Sequence, residues 1–584
     1  TGLIRLRDGV TLERAQAELD VLQASLVAAY PENNAGRVAR LVPLATDMTG
    51  GVRRTLLLAL AAVGVVLLVA CANVANLLLL RAATRQHEVS LRGALGASRA
   101  RVVRQLVTES LMLALLGGVA GTALAYAVLP VLTSVTAGHL PRVTQVRVDG
   151  SVLMATTLLT LVVGVLFGMA PTLEMSRASP RAVLVTGARA TATGRRARQL
   201  LLGVQVALCV TAVSSAALLT RTVLQLRAVD PGLDARDVLT LELRPSDLWP
   251  VERYDALHDE LRRRIGALPG VRAVGATSIL PMSGSFNGVG YSVLGEPPPQ
   301  DGQAPGAEAR SVTPEFFDAL SIGVVAGRSL ERGDVAGREP VIVVSRTLAE
   351  RHFGSAAGAL GRALIRNDDT LRIVGVVADV HQFTLDQAPE AAMYMPDAQA
   401  AAWMRFPIRL VVRTDGDPRA LAPSVRAIAR ELDERMPVSR VQTMAEVVVG
   451  SYAGQRARSL LFSAFAAITL LLATVGVYGT VAYDVARRRQ EIGVRMALGA
   501  SRGGVARMLL RQALRPVLLG AAVGVAAALA TGRLLTGLLF NVSAADPIAL
   551  AAAPLLLLAT AGIAAWWPAQ RAAGVAPGIV LRDD

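Results

Sequence analysis

Side chains able to do chemistry are sparse in this chain, and they do not gather. The five histidines, His87, His139, His258, His352 and His381, are scattered, with no spacing that would assemble metal ligands. Asp379 and His381 would share one face of an extended segment at the end of a strand expected over Ile373–Val380, a pairing expected at a surface. Gly288-Val289-Gly290 stands in an expected loop with no helix after it, so it offers no nucleotide cradle. The chain contains no lysine, and the phosphate-binding loop of ATPases needs one after its glycine-rich turn. Nothing resembles a nucleophile with its base. No catalytic, metal or cofactor-binding residue is therefore expected. What remains is ion-pair chemistry: Glu88 four residues ahead of Arg92, and again Glu491 four ahead of Arg495. At that spacing each pair shares a helix face.

Both pairs belong to a repeated stretch. The segment from Arg85 to Arg99, with Glu88, Arg92, Ala94-Leu95-Gly96-Ala97-Ser98-Arg99, returns 403 residues later from Arg488 to Arg502, with Glu491, Arg495, Ala497-Leu498-Gly499-Ala500-Ser501-Arg502. The same offset holds for Val102/Val505, Arg104/Arg507, Leu106/Leu509 and Gly121/Gly524. A solvated pair of this kind is worth only about 0.3–0.5 kcal/mol. Its presence in both copies favours a docking role, although duplication would also copy an idle pair. Gly96 and Gly499 are placed to end the two short helices as their C′ residues. Each helix lies between two long apolar runs, a natural place to receive a push from a soluble partner.

The elements around these helices follow from composition. Of the 584 residues 53% are hydrophobic, and the mean hydropathy is +0.46, which suggests an integral membrane protein. The net charge is +15, and its location argues against nucleic acid. Residues 81–104 hold six Arg and one Glu, 174–198 hold six Arg and one Glu, and 484–515 hold eight Arg against Asp484 and Glu491. The whole excess lies beside apolar runs, as in cytoplasmic loops under the positive-inside rule. Cys71 and Cys209 fall inside such runs and imply no disulfide framework.

Seven spans are expected, at about 55–80, 110–133, 150–173, 199–220, 457–483, 516–540 and 548–568. With an outside start, all Arg-rich loops fall inside. Residues 227–456 then fall outside. That region reads as a soluble α+β domain, with strands over Val238–Leu243, Val271–Ile279, Pro340–Ser345, Ile373–Val380 and Ile408–Val412, and helices over Tyr254–Leu268, Thr347–Phe353 and Ala420–Leu432. Residues 1–54 read as the tail of a similar domain. They hold a helix capped by Thr11, with an apolar stripe Ala15, Leu19, Leu22 and Leu26, and a strand-like run from Val38 to Leu44. Leu3–Gly9 echoes Leu410–Gly416, so the chain is expected to lack earlier parts of a first copy. Arg221, Arg458 and Arg533 lie towards outer ends of spans and are expected to snorkel. Asn73 and Asn76 are expected to make helix–helix hydrogen bonds.

The repeated motif, Glu-x-x-x-Arg-x-Ala-Leu-Gly-Ala-Ser-Arg after a span, together with Val69–Leu77, resembles the FtsX-like permease domain of MacB-type ABC transporters. The resemblance covers nearly the whole chain. Two units in one chain are similar to the acidobacterial duplicated orphan permeases. The implied fold is an α-helical membrane protein with two four-helix FtsX-like units, the first span missing and seven present, and α+β periplasmic core domains. The implied domains are the tail of a first MacB-like core at 1–54, a first FtsX-like domain at 55–198, a leading span at 199–226, a second core at 227–456 and a second FtsX-like domain at 457–584.

The resemblance implies a multi-pass protein of the cell inner membrane, a permease with no ATPase motif of its own. Its partners would be the lipid bilayer and a cytoplasmic ABC ATPase that binds the ATP. A periplasmic adaptor or outer-membrane channel would be a further partner, and no nucleic acid is expected. Glu88, Arg92, Leu95, Gly96, Glu491, Arg495, Leu498 and Gly499 would form the ATPase-coupling helices. ATP hydrolysis would drive the periplasmic domains to export or extract an amphiphilic substrate. The alternative is a non-transporting signalling scaffold that regulates a periplasmic partner. A secondary carrier is disfavoured, because no charge sits at the centre of a span.

Overall fold

The computed structural model describes residues 3–30, 38–44, 46, 56–76, 99–136, 147–177, 187–244, 251–296, 305–366, 369–400, 407–487, 491, 495, 498 and 500–573. In chain order the helices are α1 (Leu12–Ala29), α2 (Leu56–Asn76), α3 (Arg99–Thr136), α4 (Gly150–Arg177), α5 (Gly187–Ala228), α6 (Val251–Gly266), α7 (Phe316–Leu320), α8 (Arg346–Phe353), α9 (Ala356–Ala359), α10 (Ala422–Leu432), α11 (Met444–Ser451), α12 (Ala453–Arg487), α13 (Arg502–Leu535) and α14 (Pro547–Ala573). The strands are β1 (Val238–Leu243), β2 (Val271–Thr277), β3 (Gly288–Gly290), β4 (Ser292–Val293), β5 (Gly306–Val312), β6 (Val324–Gly327), β7 (Val341–Ser345), β8 (Ala363–Arg366), β9 (Asp369–Val377), β10 (Ala392–Pro396), β11 (Ile408–Thr414) and β12 (Val438–Thr443). They fall into two compact units, residues 1–47 with 226–453, and residues 48–225 with 454–584.

The first unit holds one mixed twelve-stranded sheet, ordered β12-β1-β11-β2-β5-β10-β7-β9-β8-β4, with β3 on β5 and β6 on β9. Its first four strands are antiparallel and run in the order last, first, third, second of a β1-α6-β2, β11-α10-β12 plan. This is the ferredoxin-like arrangement, opened between β2 and β11 to admit β3–β10. Burial explains why α6 packs there. Leu257, Leu261 and Ile265 recur every fourth residue and share a core with Leu241, Val274, Leu410 and Val412, while Val425 and Ala429 bring in α10. The inserted strands close a second core around Ile342, Val344, Ile373, Val376 and Met393, covered by Leu348 and Ala349 of α8. Here β5 with β10 and β7 with β9 are parallel, and the β7–β9 crossover carries α8 and α9. β7 and β10 are buried along their whole length, as suits strands covered on both faces.

Several sequence expectations for this unit need correction. Val38–Leu44 forms no strand among its described residues. The amides of Ala39 and Leu41 donate instead to the Gln23 and Gln16 side chains of α1. Gly288–Gly290 is no loop but β3, because β5 offers it an edge to pair with. His381 is buried, not on a surface, and Asp379 accepts the amide of Thr347 at the start of α8. The capped α1 is present, yet none of its residues is buried.

Among the described residues of the second unit six stretches are long and apolar enough to cross a membrane: Leu56–Asn76, Val107–Pro130, Arg198–Ala228, Ala453–Val485, Gly503–Leu538 and Pro547–Trp566. The seventh expected span falls in α4, a continuous helix of 28 residues that contains the apolar stretch Gly150–Val165. α3 pairs with α4, and α13 with α14. The main core of the unit is built by α5, α12, α13 and α14, through Val206, Cys209, Val210, Val477, Val517, Ala521, Leu557 and Ala561.

Candidate functional site

The second Glu–Arg stretch lies between α12 and α13. Its Glu491 carboxylate stands 2.6 Å from the Arg495 guanidinium, one helical turn apart, with both side chains about half exposed. Arg495 also reaches the sulfur of Met508 on α13, 2.9 Å away. The turn is closed by the amide of Ala500, which donates to the carbonyl of Arg495, a bond of the kind that ends helices. One residue on, the Ser501 hydroxyl accepts from Gly504 N–H and caps α13. Val505 and Leu509, in the first turns of α13, are buried against Val485 of α12. The C-terminal end of the stretch is thus tied to α13, which itself packs on α12. Beside that tie Leu498 is 83% exposed. A leucine held out beside a charged pair can dock into an apolar socket, with the ions setting its orientation. Of the other expected site residues, Glu88, Arg92, Leu95, Gly96 and Gly499 lie outside the described residues.

A second polar constellation sits inside the helical unit, where α2, α5 and α12 meet. The Asn73 side-chain amide donates to the Leu472 carbonyl at 2.8 Å. The Gln205 amide donates to the same carbonyl at 3.0 Å and to Asn73 Oδ1 at 3.2 Å. One turn away, Asn76 donates to the Thr480 hydroxyl at 2.8 Å. Asn73, Asn76, Gln205 and Thr480 are all buried, so these are the helix–helix hydrogen bonds expected of polar residues in a span. Gln205 is a member that sequence reasoning missed, because a single glutamine in an apolar helix carries no spacing signal.

Arg221 does not simply snorkel. Its guanidinium contacts both oxygens of Asp546 at 2.5 Å, and Asp546 also accepts the amide of Ala549. Asp546 thereby caps α14 and ties it to α5. An aspartate before Pro547 and an apolar run was a legible N-cap signal, since proline suits the first helical position; only its ion-pair partner was not.

In the sheet unit the His258 ring nitrogen Nδ1 stands 2.8 Å from Asp397, which also accepts the Ser311 hydroxyl at 2.6 Å. His258 and Asp397 border a cleft of about 640 Å³. The serine proton points to the carboxylate and not to the imidazole, so this geometry does not activate a nucleophile. Among the described residues no group of three His, Cys, Asp or Glu could hold a metal ion.

Residues 60–180 and 463–577 match the FtsX-like permease C-terminal family, and residues 200–457 match the MacB-like periplasmic core domain. The chain belongs to the MacB/FtsX-like permeases. The repeat is thus a repeat of the FtsX-like domain, and the ferredoxin-like sheet with its insertion is the MacB-like periplasmic core. The permease is 31% identical over 221 residues to the macrolide export ATP-binding/permease protein MacB of Chromobacterium violaceum, a match covering 36% of this chain and 33% of that one. It is 26% identical over 276 residues to the pyoverdine export ATP-binding/permease protein PvdT of Pseudomonas putida, covering 46% and 42%. The permease therefore spans less than half the length of these curated relatives. The crystal structure of the periplasmic region of MacB from Actinobacillus actinomycetemcomitans aligns with 37% of this chain and 92% of its own at 14% identity, with a TM-score of 0.27.

Proposed function

We propose that this permease is the membrane subunit of an ABC transporter, sited in the cell inner membrane with its MacB-like core in the periplasm. A separate cytoplasmic ATPase docks on the two inner helices. The observation that carries the reading is Leu498, exposed beside the Glu491–Arg495 pair, which is tied to α13 through Met508. A push on this turn would act on two spans together, because Val505 and Leu509 grip Val485. The first copy, Glu88, Arg92, Leu95 and Gly96, is assigned the same role by the repeat. No ATP site is assigned to the chain itself, and the partner would bind the nucleotide. The relatives' names specify export of a macrolide and of pyoverdine. Export or extraction of an amphiphilic substrate is the corresponding reading here, with a periplasmic adaptor or outer-membrane channel as a further partner.

The test is co-purification from native membranes of the full-length protein and of a Glu88→Arg, Glu491→Arg double variant. An ABC ATPase with the first and not the second supports the reading. No ATPase with either, even after crosslinking, would leave a non-transporting scaffold as the better account.

A further inference from the structure

The sheet of the first unit has a seam. β2 and β5 meet at one residue pair, Thr277 with Val312, and there the ferredoxin-like strands give way to the inserted ones. β5 and β10 are parallel, with Pro396 opposite Val312. Their carboxyl ends therefore bring Thr313-Pro314-Glu315 and Pro396-Asp397-Ala398 to the same edge. In open sheets ligands collect in the crevice outside such carboxyl ends, where the strand order changes. Here that crevice is the cleft of about 640 Å³ bordered by His258 and Asp397. Small-molecule sites run from about 300 to 1,000 Å³.

The floor of the cleft is apolar. Val274 and Ala276 of β2 share it with Leu410 of β11, which lies directly across from Ala276. α7 backs the other face of β2 so closely that a Cβ at Gly275 would meet the Phe316 backbone at 2.6 Å. The walls are charged in two tiers. Glu315, Asp334 and Asp397 are mostly covered, with side chains 11–23% exposed. Arg263 and Arg332 stand at the rim, 67–68% exposed. Among the described residues the hydrogen bonds to the Glu315 carboxylate both come from Arg332 and both fall on Oε1, and Arg262 approaches the same oxygen at 3.9 Å. That leaves Oε2 to accept from a ligand. Carboxylates set in a crevice with low-dielectric walls attract cations, and an apolar floor takes up a hydrophobic body.

We infer that this cleft binds an amphiphilic organic cation, with its apolar body on Val274, Ala276 and Leu410 and its ammonium group beside Glu315. The inference deepens the proposed function by naming a substrate class, and it rests on that reading for the step from binding to export.

The test is equilibrium binding to the full-length protein in detergent, without ATPase or nucleotide, read by fluorescence anisotropy. The two probes share a xanthene body and differ in charge: the cation rhodamine 6G and the anion sulforhodamine B. The expected result is saturable binding of rhodamine 6G, about tenfold or more tighter than that of sulforhodamine B. Glu315→Gln should weaken rhodamine 6G binding about fivefold or more, because it removes the charge and keeps the shape. Ala336 is exposed at the edge of the cleft, so Ala336→Trp should block it and weaken binding about tenfold or more. Val325→Trp, on β6 and outside the lining, should leave binding unchanged. No saturable rhodamine 6G binding, equal binding of the two dyes, or an Ala336→Trp variant that binds as the unaltered chain does would overturn the inference. The dye pair decides the matter even where a variant does not accumulate. With no ATPase in the assay, a chain that recruits none would still bind the dye, and a failure here would leave the ATPase reading standing.

Discussion

Asn73 packs on Gly476, the residue that occupies its own place in the second repeat. The two are 403 residues apart, and a Cβ added at Gly476 would fall 2.5 Å from Asn73 Oδ1 and within 2.9 Å of both amide atoms of Gln205. The two halves thus meet at equivalent positions, with an amide on one side and no side chain on the other. Gly479, the counterpart of Asn76, has open space instead. Gly476→Ala should therefore break the amide cluster and destabilise the purified protein by about 0.6–2 kcal/mol, the range of interhelical hydrogen bonds in membranes. Gly479→Ala, which adds its methyl to open space in a helix, should be neutral or stabilising by up to about 1 kcal/mol. Thermal unfolding in detergent, read by size-exclusion fluorescence, compares the two. Equal effects would refute the cluster's role.

The Arg221–Asp546 contact makes a separate prediction. Asp546→Asn keeps the cap on α14 and loses the ion pair, as Arg221→Ala does. Asp546→Ala loses both and should cost a further 0.5–2 kcal/mol or so, the usual worth of an N-cap. The same unfolding assay should rank Asp546→Ala below the other two. If all three were alike, the cap would carry none of the stability.

His352 gives the periplasmic core a pH dependence. Burial lowers its pKa below the ordinary value, with Arg351 acting in the same direction and Glu296 against it. Its Nε2 lies 2.8 Å from the Tyr291 hydroxyl. In the window between the depressed folded value and the unfolded value near 6.5, the unfolded chain binds more protons. This contribution to stability is therefore present above about pH 6.5 and is lost as pH falls through the folded value. Hydrogen exchange of α8 amides should speed up on moving from about pH 7.5 to about pH 5, beyond the intrinsic change. His352→Gln, which cannot titrate but can still bond Tyr291, should remove the excess.

Local pattern made much of this fold legible. Val238–Leu243, Val341–Ser345 and the helix after it read correctly because short apolar runs and capped helices are local signals. The sheet order was not legible. β2 and β11 are neighbours in space but are separated in sequence by β3–β10, and no local feature says where a strand pairs. Gly288–Gly290 was misread for the same reason, since only its pairing with β5 makes it a strand. The site was partly legible. Glu491 and Arg495 stood out by spacing and repetition, whereas Gln205 and the Arg221–Asp546 contact depend on which helices lie side by side.

The turn carrying Leu498 is proposed to receive an ATPase. A photoreactive residue at Leu498, with one at the outward-facing Leu518 as control, tests it directly in native membranes. The expected result is a crosslinked product from Leu498 that contains an ABC ATPase and is lost with Glu491→Arg, and lipid adducts alone from Leu518. An ATPase product from neither position, or lipid adducts alone from Leu498, would contradict it.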